Sequence, residues 1–300
     1  MKKVLVYGAT GDQGLPLLRS LLASGLTVRA ATRDPSTFPT TEFSQVEVVA
    51  ASFDNPESLR KASKGVDAIA MNLPFSFDRA YCQMMGENIS RAAKEGGVRK
   101  VVFNTSCVIA PKDNGLPAHD GRRDIEAAIS STGLEWASLR SVVFMDNMIR
   151  PWVKPSIVNH GVYPYPAKDD LKISFVCLED VAAYMTAAVL EDRVTAHTFD
   201  IGGPEALTGQ EAAERLSLAV GREVRFKSLH PDEFARGMAK LVTGSDEVPT
   251  GSIWDRMADF YRWYNSEPIS PLIVDLSPAL ALLPVRPTPL LVWAKAQVWQ

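Results

Sequence analysis

The sequence predicts an α/β protein, a doubly wound parallel Rossmann sheet with a smaller C-terminal α/β substrate domain. Two observations carry that prediction. The chain opens on an apolar run, Val4-Leu5-Val6-Tyr7, then three evenly spaced glycines (Gly8, Gly11, Gly14), then an apolar stretch with helical spacing from Leu15 to Leu22. Strand and helix signals then alternate through the first half of the chain, the rhythm of a parallel sheet covered by crossover helices.

The opening run has the length and composition of a buried parallel strand. Glycines let backbone amides come close to a pyrophosphate, and the unpaired amides at a helix N-terminus carry the partial positive charge that receives it. The spacing is G-x-x-G-x-x-G, not the G-x-G-x-x-G fingerprint, and an ordinary strand-to-helix turn also carries glycines. The flanks and a second β-α-β pattern downstream favour dinucleotide binding. The site is expected to use Gly8, Thr10, Gly11, Asp12, Gln13 and Gly14. Pro16 falls in the first helical turn, where amides have no intrahelical acceptor.

Thr27–Thr32 reads as the second strand and Val46–Ala50 as the third. Asn55-Pro56 starts a helix, with Asn as N-cap and Pro at the first helical position. Asp67–Met71 is the fourth strand, about Asp78–Glu95 a long helix ending at Gly96-Gly97, and Lys100–Asn104 the fifth strand. A helix is expected from about Gly121 to Ser131, then a strand from Glu135 to Leu139. Past Arg150 prolines punctuate a loop-rich stretch. A helix starts near Asp180, His197–Ile201 is a further strand, and Thr208 to Glu211 has capping-box spacing. The expected organisation is residues 1–150 as the dinucleotide-binding domain and 151–300 as a substrate-cleft domain, with the strand near 197–201 returning to the first.

At 46% hydrophobic, 22% charged and net charge −3, the chain reads as a soluble globular protein with no nucleic-acid partner expected. Its apolar stretches are too short to span a bilayer, and Met1-Lys2-Lys3 leads into a strand, so no membrane association and a cytoplasmic location are expected. Cys82, Cys107 and Cys177 suggest no disulfide framework, and the four histidines lack metal-ligand spacing. No metal is expected.

At the end of the second strand, NAD sites place an acid for the ribose hydroxyls and NADP sites a positive charge for the 2′-phosphate. Here Arg33 follows Thr32, which points to NADP(H) before NAD(H), unless Arg33 simply pairs with Asp34 at the surface. Asp54 either accepts from the adenine amine or caps the Asn55-Pro56 helix. Asn72-Leu73-Pro74 ends the fourth strand at the cofactor's edge. Ser106, after the fifth, is either a catalytic candidate or a turn cap. Phe75, Phe144, Met145, Trp152 and Tyr163 lie in segments expected to face a cleft, and either line an apolar substrate pocket or form interdomain core.

The chain resembles the NmrA-like family of the atypical short-chain dehydrogenase/reductase superfamily. The resemblance rests on Gly8-Ala9-Thr10-Gly11-Asp12-Gln13-Gly14, Arg33-Asp34-Pro35, Leu139-Arg140, Phe144-Met145-Asp146-Asn147, Asp180-Val181-Ala182 and Phe199 to Thr208. It implies a Rossmann domain, an NAD(P) site and a small C-terminal domain closing the substrate cleft. Its members divide between reductases of quinones, azo compounds or similar acceptors and non-catalytic regulators that sense NAD(P). Typical reductases of the superfamily use a Tyr-x-x-x-Lys pair, absent here; some relatives place a lysine upstream of an Arg-Arg-x-x-Glu-like segment. The corresponding stretch, Pro117 to Glu126, holds no lysine. In that stretch His119 is either a proton donor or structural, and Arg122 and Arg123 read as an exposed helix face pairing with Glu126. The expected function is an NADPH-preferring oxidoreductase for a small quinone-like or aromatic acceptor. The alternative is an NADP(H)-sensing regulator with a protein partner.

Overall fold

The structure, a computed structural model, describes residues 2–300. In chain order the elements are β1 (Lys3–Tyr7), α1 (Gly14–Ala23), β2 (Thr27–Thr32), β3 (Glu47–Ala50), α2 (Pro56–Ser63), β4 (Ala68–Asn72), α3 (Arg79–Glu95), β5 (Lys100–Asn104), α4 (Pro117–Ser130) and β6 (Glu135–Ser141). There follow β7 (Val162–Tyr165), α5 (Leu178–Leu190), β8 (Ala196–Ile201), α6 (Gly209–Val220), β9 (Arg225–Ser228), α7 (Pro231–Thr243), α8 (Ile253–Ser266), α9 (Ser277–Leu282) and α10 (Leu290–Lys295). No helix among the described residues is long and apolar enough to cross a membrane.

The chain divides into two compact units. The first takes the chain through Ser141, Leu178–Ile201 and Leu276–Arg286; the second takes Val142–Cys177, Gly202–Asp275 and Pro287–Gln300. In the first unit a seven-stranded parallel sheet runs in the order β3-β2-β1-β4-β5-β6-β8, so the strand order reverses between β1 and β4. Side chains alternate across a strand. Leu5, Tyr7, Ile69, Met71, Val101 and Phe103 meet Leu59 of α2, Met85 and Ile89 of α3, and Ile125 and Ile129 of α4. Each such large side chain, fully buried, contributes about 1.5–3 kcal/mol of hydrophobic stabilisation. α1 packs with α5, burying Leu17, Leu18 and Leu21 against a helix that buries Val181, Tyr184 and Met185.

α4 begins at Pro117, a turn earlier than the expected Gly121. Gly121 lies inside the helix because α3 comes too close for a side chain: a Cβ there would sit 2.8 Å from the Cβ of Cys82. Gly86 of α3 has the reciprocal role, its Cβ position lying 3.0 Å from Ile125 Cα. The expected pairing of Arg122 and Arg123 with Glu126 is also replaced. Glu126 accepts a two-pronged bond from Arg140 of β6 (2.9 and 2.6 Å) and another from Ser138 Oγ, joining α4 to the sheet. Arg123 turns to Asp120 at 2.8 Å, and Arg122 is fully buried. Lys100, also fully buried, donates to the carbonyls of Glu191 (2.7 Å) and Ala188 (3.3 Å), closing the C-terminal end of α5.

The second unit has its own parallel pair, β7 with β9, and the helices α6, α7, α8 and α10. The Thr208–Glu211 capping box opens α6 with both bonds formed. Tyr165, Phe234, Phe260, Tyr261 and Tyr264 pack edge to face as an aromatic core.

Removing Glu126 strands the Arg140 guanidinium in a largely buried place. Glu126→Ala is expected to lower unfolding free energy by about 3 kcal/mol, the lower end for orphaning a buried charge because Arg140 keeps some solvent contact. Guanidinium unfolding curves check this; an unchanged midpoint would show that the pair does not tie α4 to β6.

Candidate dinucleotide site

The β1–α1 turn lies on the carboxyl edge of the sheet where the strand order reverses, the place where open α/β sheets bind ligands. Its three glycines have different reasons to be there. Gly8 has φ +70°, and a Cβ on it would lie 2.0 Å from the carbonyl oxygen of Asn72. A Cβ on Gly14 would lie 2.1 Å from Gly8 O and 2.5 Å from Ala9 O. Both are demanded by the protein's own backbone. A Cβ on Gly11 would make only ordinary contact with Gly8 O at 3.4 Å, and the residue is exposed. Among the described residues nothing demands a glycine there, and its bare edge leaves room for a ligand to approach the main chain.

The turn is drawn tight by Gly11 N donating to Gly8 O (3.1 Å) and Gly14 N to Gly11 O (2.9 Å). The amides of Thr10 and Gln13 donate to no acceptor among the described residues, and neither residue is buried. They stand at the N-terminus of α1, whose N-cap Gln13 supplies no side-chain capping bond to the helix. Unpaired main-chain amides at a helix N-terminus have the chemistry that suits an anion.

Beside it lies a closed polar cluster. Asn104, fully buried at the end of β5, donates through Nδ2 to Asn72 Oδ1 (2.9 Å) and Gln13 Oε1 (2.6 Å). Its Oδ1 accepts from Ser106 N (3.0 Å) and Ser141 Oγ (3.1 Å), and Asn72 Nδ2 donates to the carbonyl of Gln13 at 3.3 Å. Ser106 Oγ donates to Gln13 Oε1 at 3.0 Å. Ser106 has φ +61°, and it is the only non-glycine residue among those described with positive φ. A conformation costing on the order of 1–3 kcal/mol persists only when the surroundings impose it, and the Asn104 and Gln13 bonds do so. The sequence points to Asn72, Gln13 and Ser106 but not to Asn104 and Ser141. The available signal was a lone amide closing the apolar run Val101-Val102-Phe103.

β2 pairs with β1 so that Ala31 faces Tyr7, which brings Arg33 out beside the glycine turn. Arg33 is exposed and has no ion pair or hydrogen bond among the described residues; Asp34 turns instead to Ser36, accepting from its amide (2.9 Å) and hydroxyl (2.7 Å). Asp54, also exposed, accepts from Ser52 Oγ, and the α2 cap is Asn55, which accepts from Ser58 N. Leu73 is buried, whereas Pro74 and Phe75 emerge from the sheet edge, Phe75 42% exposed. His119 is wholly buried, its Nδ1 accepting the Ala110 N–H at 3.1 Å. Burial and the nearby Arg123 push its pKa down to about 4, so it is neutral at pH 7. These features favour the structural alternative for His119. Phe144 and Met145 belong to the second unit, where Phe144 bridges to Val176 and Met145 is 1% exposed. Tyr163 lies within β7, 2% exposed, so it and Met145 are core residues of that unit rather than loop side chains.

The family model described as the NmrA-like family matches residues 1–275. The chain belongs to the NmrA-like family. The chain is 28% identical over 260 residues to an NAD(P)H azoreductase of Xenophilus azovorans, covering 86% of each chain. It is 30% identical over 233 residues to a (4-alkanoyl-5-oxo-2,5-dihydrofuran-3-yl)methyl phosphate reductase of Streptomyces griseus, 76% of this chain and 78% of the relative. The crystal structure of the Escherichia coli quinone oxidoreductase QOR2 with NADPH superposes with a TM-score of 0.78 at 21% identity, over 97% of this chain and 98% of that one. The last likeness shows a shared fold.

The glycines of this NmrA-like turn are expected to separate by substitution. Gly11→Val should keep stability within about 0.5 kcal/mol yet weaken NADPH binding by about tenfold or more, by holding the phosphates off the amides. Gly14→Ala should cost about 1–3 kcal/mol or more through backbone overlap. Calorimetry and thermal melts check both; undiminished binding by a folded Gly11→Val protein would remove the turn from the site. For His119 the sign is fixed by its direction of shift. As pH falls from 6.5 towards 4 the unfolded chain takes up the proton first, so stability present above pH 6.5 is lost across that window. Urea midpoints at pH 7, 5.5 and 4.5 should fall more steeply for the parent protein than for His119→Gln; parallel curves would contradict a buried neutral imidazole.

Proposed function

We propose that this NmrA-like protein is an NADPH-dependent reductase that delivers hydride to a small quinone-like or other planar aromatic acceptor. The observation that carries the reading is the pairing of an open glycine turn with an unpartnered arginine beside it. The Thr10 and Gln13 amides and the bare edge of Gly11 suit a pyrophosphate, and Arg33, not engaged by Asp34, suits a 2′-phosphate. The names of the azoreductase, the furanone reductase and the quinone oxidoreductase support reduction as the common chemistry.

Bound NADPH would supply the hydride. The protein's part is to hold and orient. Gly8 to Gly14 would anchor the pyrophosphate and Arg33 the 2′-phosphate. The Asn72-Leu73-Pro74 turn and Ser106 stand at the adjoining strand ends, where the nicotinamide half would lie. Asn104 keeps Asn72, Gln13 and Ser106 in register through three bonds, and Ser106 Oγ adds a fourth to Gln13, so the floor of that half is pre-set. Two candidate acids drop out: the sequence has no Tyr-x-x-x-Lys pair, and His119 is enclosed and neutral. Quinol oxygens can take protons from water, whereas an unactivated ketone needs a positioned donor to stabilise its alkoxide. The acceptor is therefore one that tolerates solvent protonation.

Arg33→Ala is expected to weaken NADPH binding roughly ten- to hundredfold, the loss of a charge-assisted phosphate contact of about 1.5–3 kcal/mol, and to leave NADH binding nearly unchanged. NADPH oxidation followed at 340 nm should be saturable with 1,4-naphthoquinone and negligible with acetophenone. Equal losses for both nucleotides would demote Arg33 to a surface charge. Tight NADPH binding with no turnover of any quinone or azo acceptor would favour an NADP(H)-sensing regulator instead.

A further inference from the structure

Arg122 is the largest side chain among the fully buried ones described. Its Nη2 donates to the carbonyls of Pro74 (2.8 Å) and Leu73 (3.4 Å), at the exit of β4. Among the described residues its Nε and Nη1 have no hydrogen-bond partner, and no carboxylate lies within ion-pair distance. Glu126, one helical turn away, is committed to Arg140, and Asp120 to Arg123 and Arg79. The groups around it are the thiols of Cys82 and Cys107, both made less acidic by burial, and two aromatic rings. The guanidinium carbon lies 5.4 Å from the Phe75 ring centre and 5.9 Å from that of Phe103. A guanidinium does not give up its proton in a protein, so this is a standing positive charge that no side chain balances.

Burying such a charge costs several kcal/mol unless something offsets it. Phe75 connects it to the surface. Its ring is 42% exposed, braced edge-on by Phe77 at 5.3 Å, while the arginine behind it has no exposure at all. A cation behind an aromatic ring draws π density inward. The outward side then loses its attraction for cations, and the field of the guanidinium reaches a ligand stacked there through low-dielectric material.

We propose that Phe75 backed by Arg122 is a stacking platform that selects planar anionic acceptors, such as sulfonated or ionised aromatic quinones and azo compounds, over neutral and cationic ones of the same shape. The proposal rests on the reductase reading for the word acceptor. The platform itself rests on the burial of Arg122, its lack of a counter-ion and the placing of Phe75. Arg122 acts through the ring and through the Leu73-Pro74 carbonyls, which makes it a specificity and positioning residue.

The test compares pairs that share a naphthalene frame and differ in carrying a sulfonate. Turnover is measured with 1,2-naphthoquinone-4-sulfonate and 1,2-naphthoquinone. Binding is measured by calorimetry with naphthalene-2-sulfonate and 2-naphthol on protein saturated with NADP+. The parent protein is expected to favour the sulfonate about tenfold in kcat/KM and in Kd. Arg122→Lys should keep most of that preference, Arg122→Met should reduce it to within about twofold, and Phe75→Leu should weaken both members of each pair. Arg122→Met orphans no carboxylate, and a melting curve verifies that it folds. A parent protein with no preference for the sulfonate overturns the proposal whatever the variants do, as does an unchanged preference in folded Arg122→Met. Sulfonate-selective binding without turnover of either quinone would leave the platform standing and remove the reductase reading.

Discussion

A methyl group on Gly8 would lie 2.0 Å from the carbonyl oxygen of Asn72, and one on Gly14 would overlap the carbonyls of Gly8 and Ala9. Backbone therefore touches backbone where β1 gives way to α1 and β4 ends. That contact sets the rest of the site. It brings the N-terminus of α1 over the strand-order reversal, leaves Gly11 as the outward apex of the turn, and puts Gln13 within reach of Asn72, Asn104 and Ser106. The left-handed backbone at Ser106 follows from the same arrangement, since its amide is pinned to Asn104 and its hydroxyl to Gln13. A side chain at Gly8 or Gly14 would disturb the polar cluster as well as the turn.

Buried charge is handled in two ways in the first unit. Lys100 is matched by the open carbonyls at the end of α5, and Glu126 by the fork of Arg140, so each ties a helix to the sheet with its hydrogen bonds satisfied. Arg122 has two carbonyl acceptors for one nitrogen and nothing for the other two. The contrast lies within one helix, because Glu126 and Arg122 are successive turns of α4. One is satisfied within the fold; the other leaves positive potential at the mouth of β4.

Much of the fold is legible in the sequence because parallel strands buried on both faces are continuous apolar runs, and several helices carry explicit caps, at Asn55-Pro56 and Asp78 in the first unit and Thr208 in the second. Where local signals mislead, a tertiary contact decides. Gly121 looks like a helix boundary until Cys82 of the neighbouring helix is seen occupying the space of its missing side chain. β7 contains Pro164 and β9 reads Arg-Phe-Lys-Ser, so neither resembles a strand; each is stabilised by the other across a two-stranded edge. In the site, the glycines and Arg33 are visible because their chemistry is local. Asn104 and Arg122 are not, since a polar residue after an apolar run and a charged residue in an amphipathic helix both read as surface. Only the packing of β5 and α4 puts them inside. For His119 the sequence leaves a proton donor and a structural role both open, and its enclosure against Ala110 favours the structural one.

The central claim is that a nicotinamide dinucleotide phosphate is held by the main chain of the β1–α1 turn and by Arg33. It is tested most directly by a crystal structure of the protein grown with NADP+. The pyrophosphate is expected against the amides of Thr10 and Gln13, over Gly11, with the adenosine 2′-phosphate in hydrogen-bond contact with the Arg33 guanidinium. A nucleotide seated away from that turn, or one whose 2′-phosphate points into solvent while Arg33 stays unengaged, would contradict it.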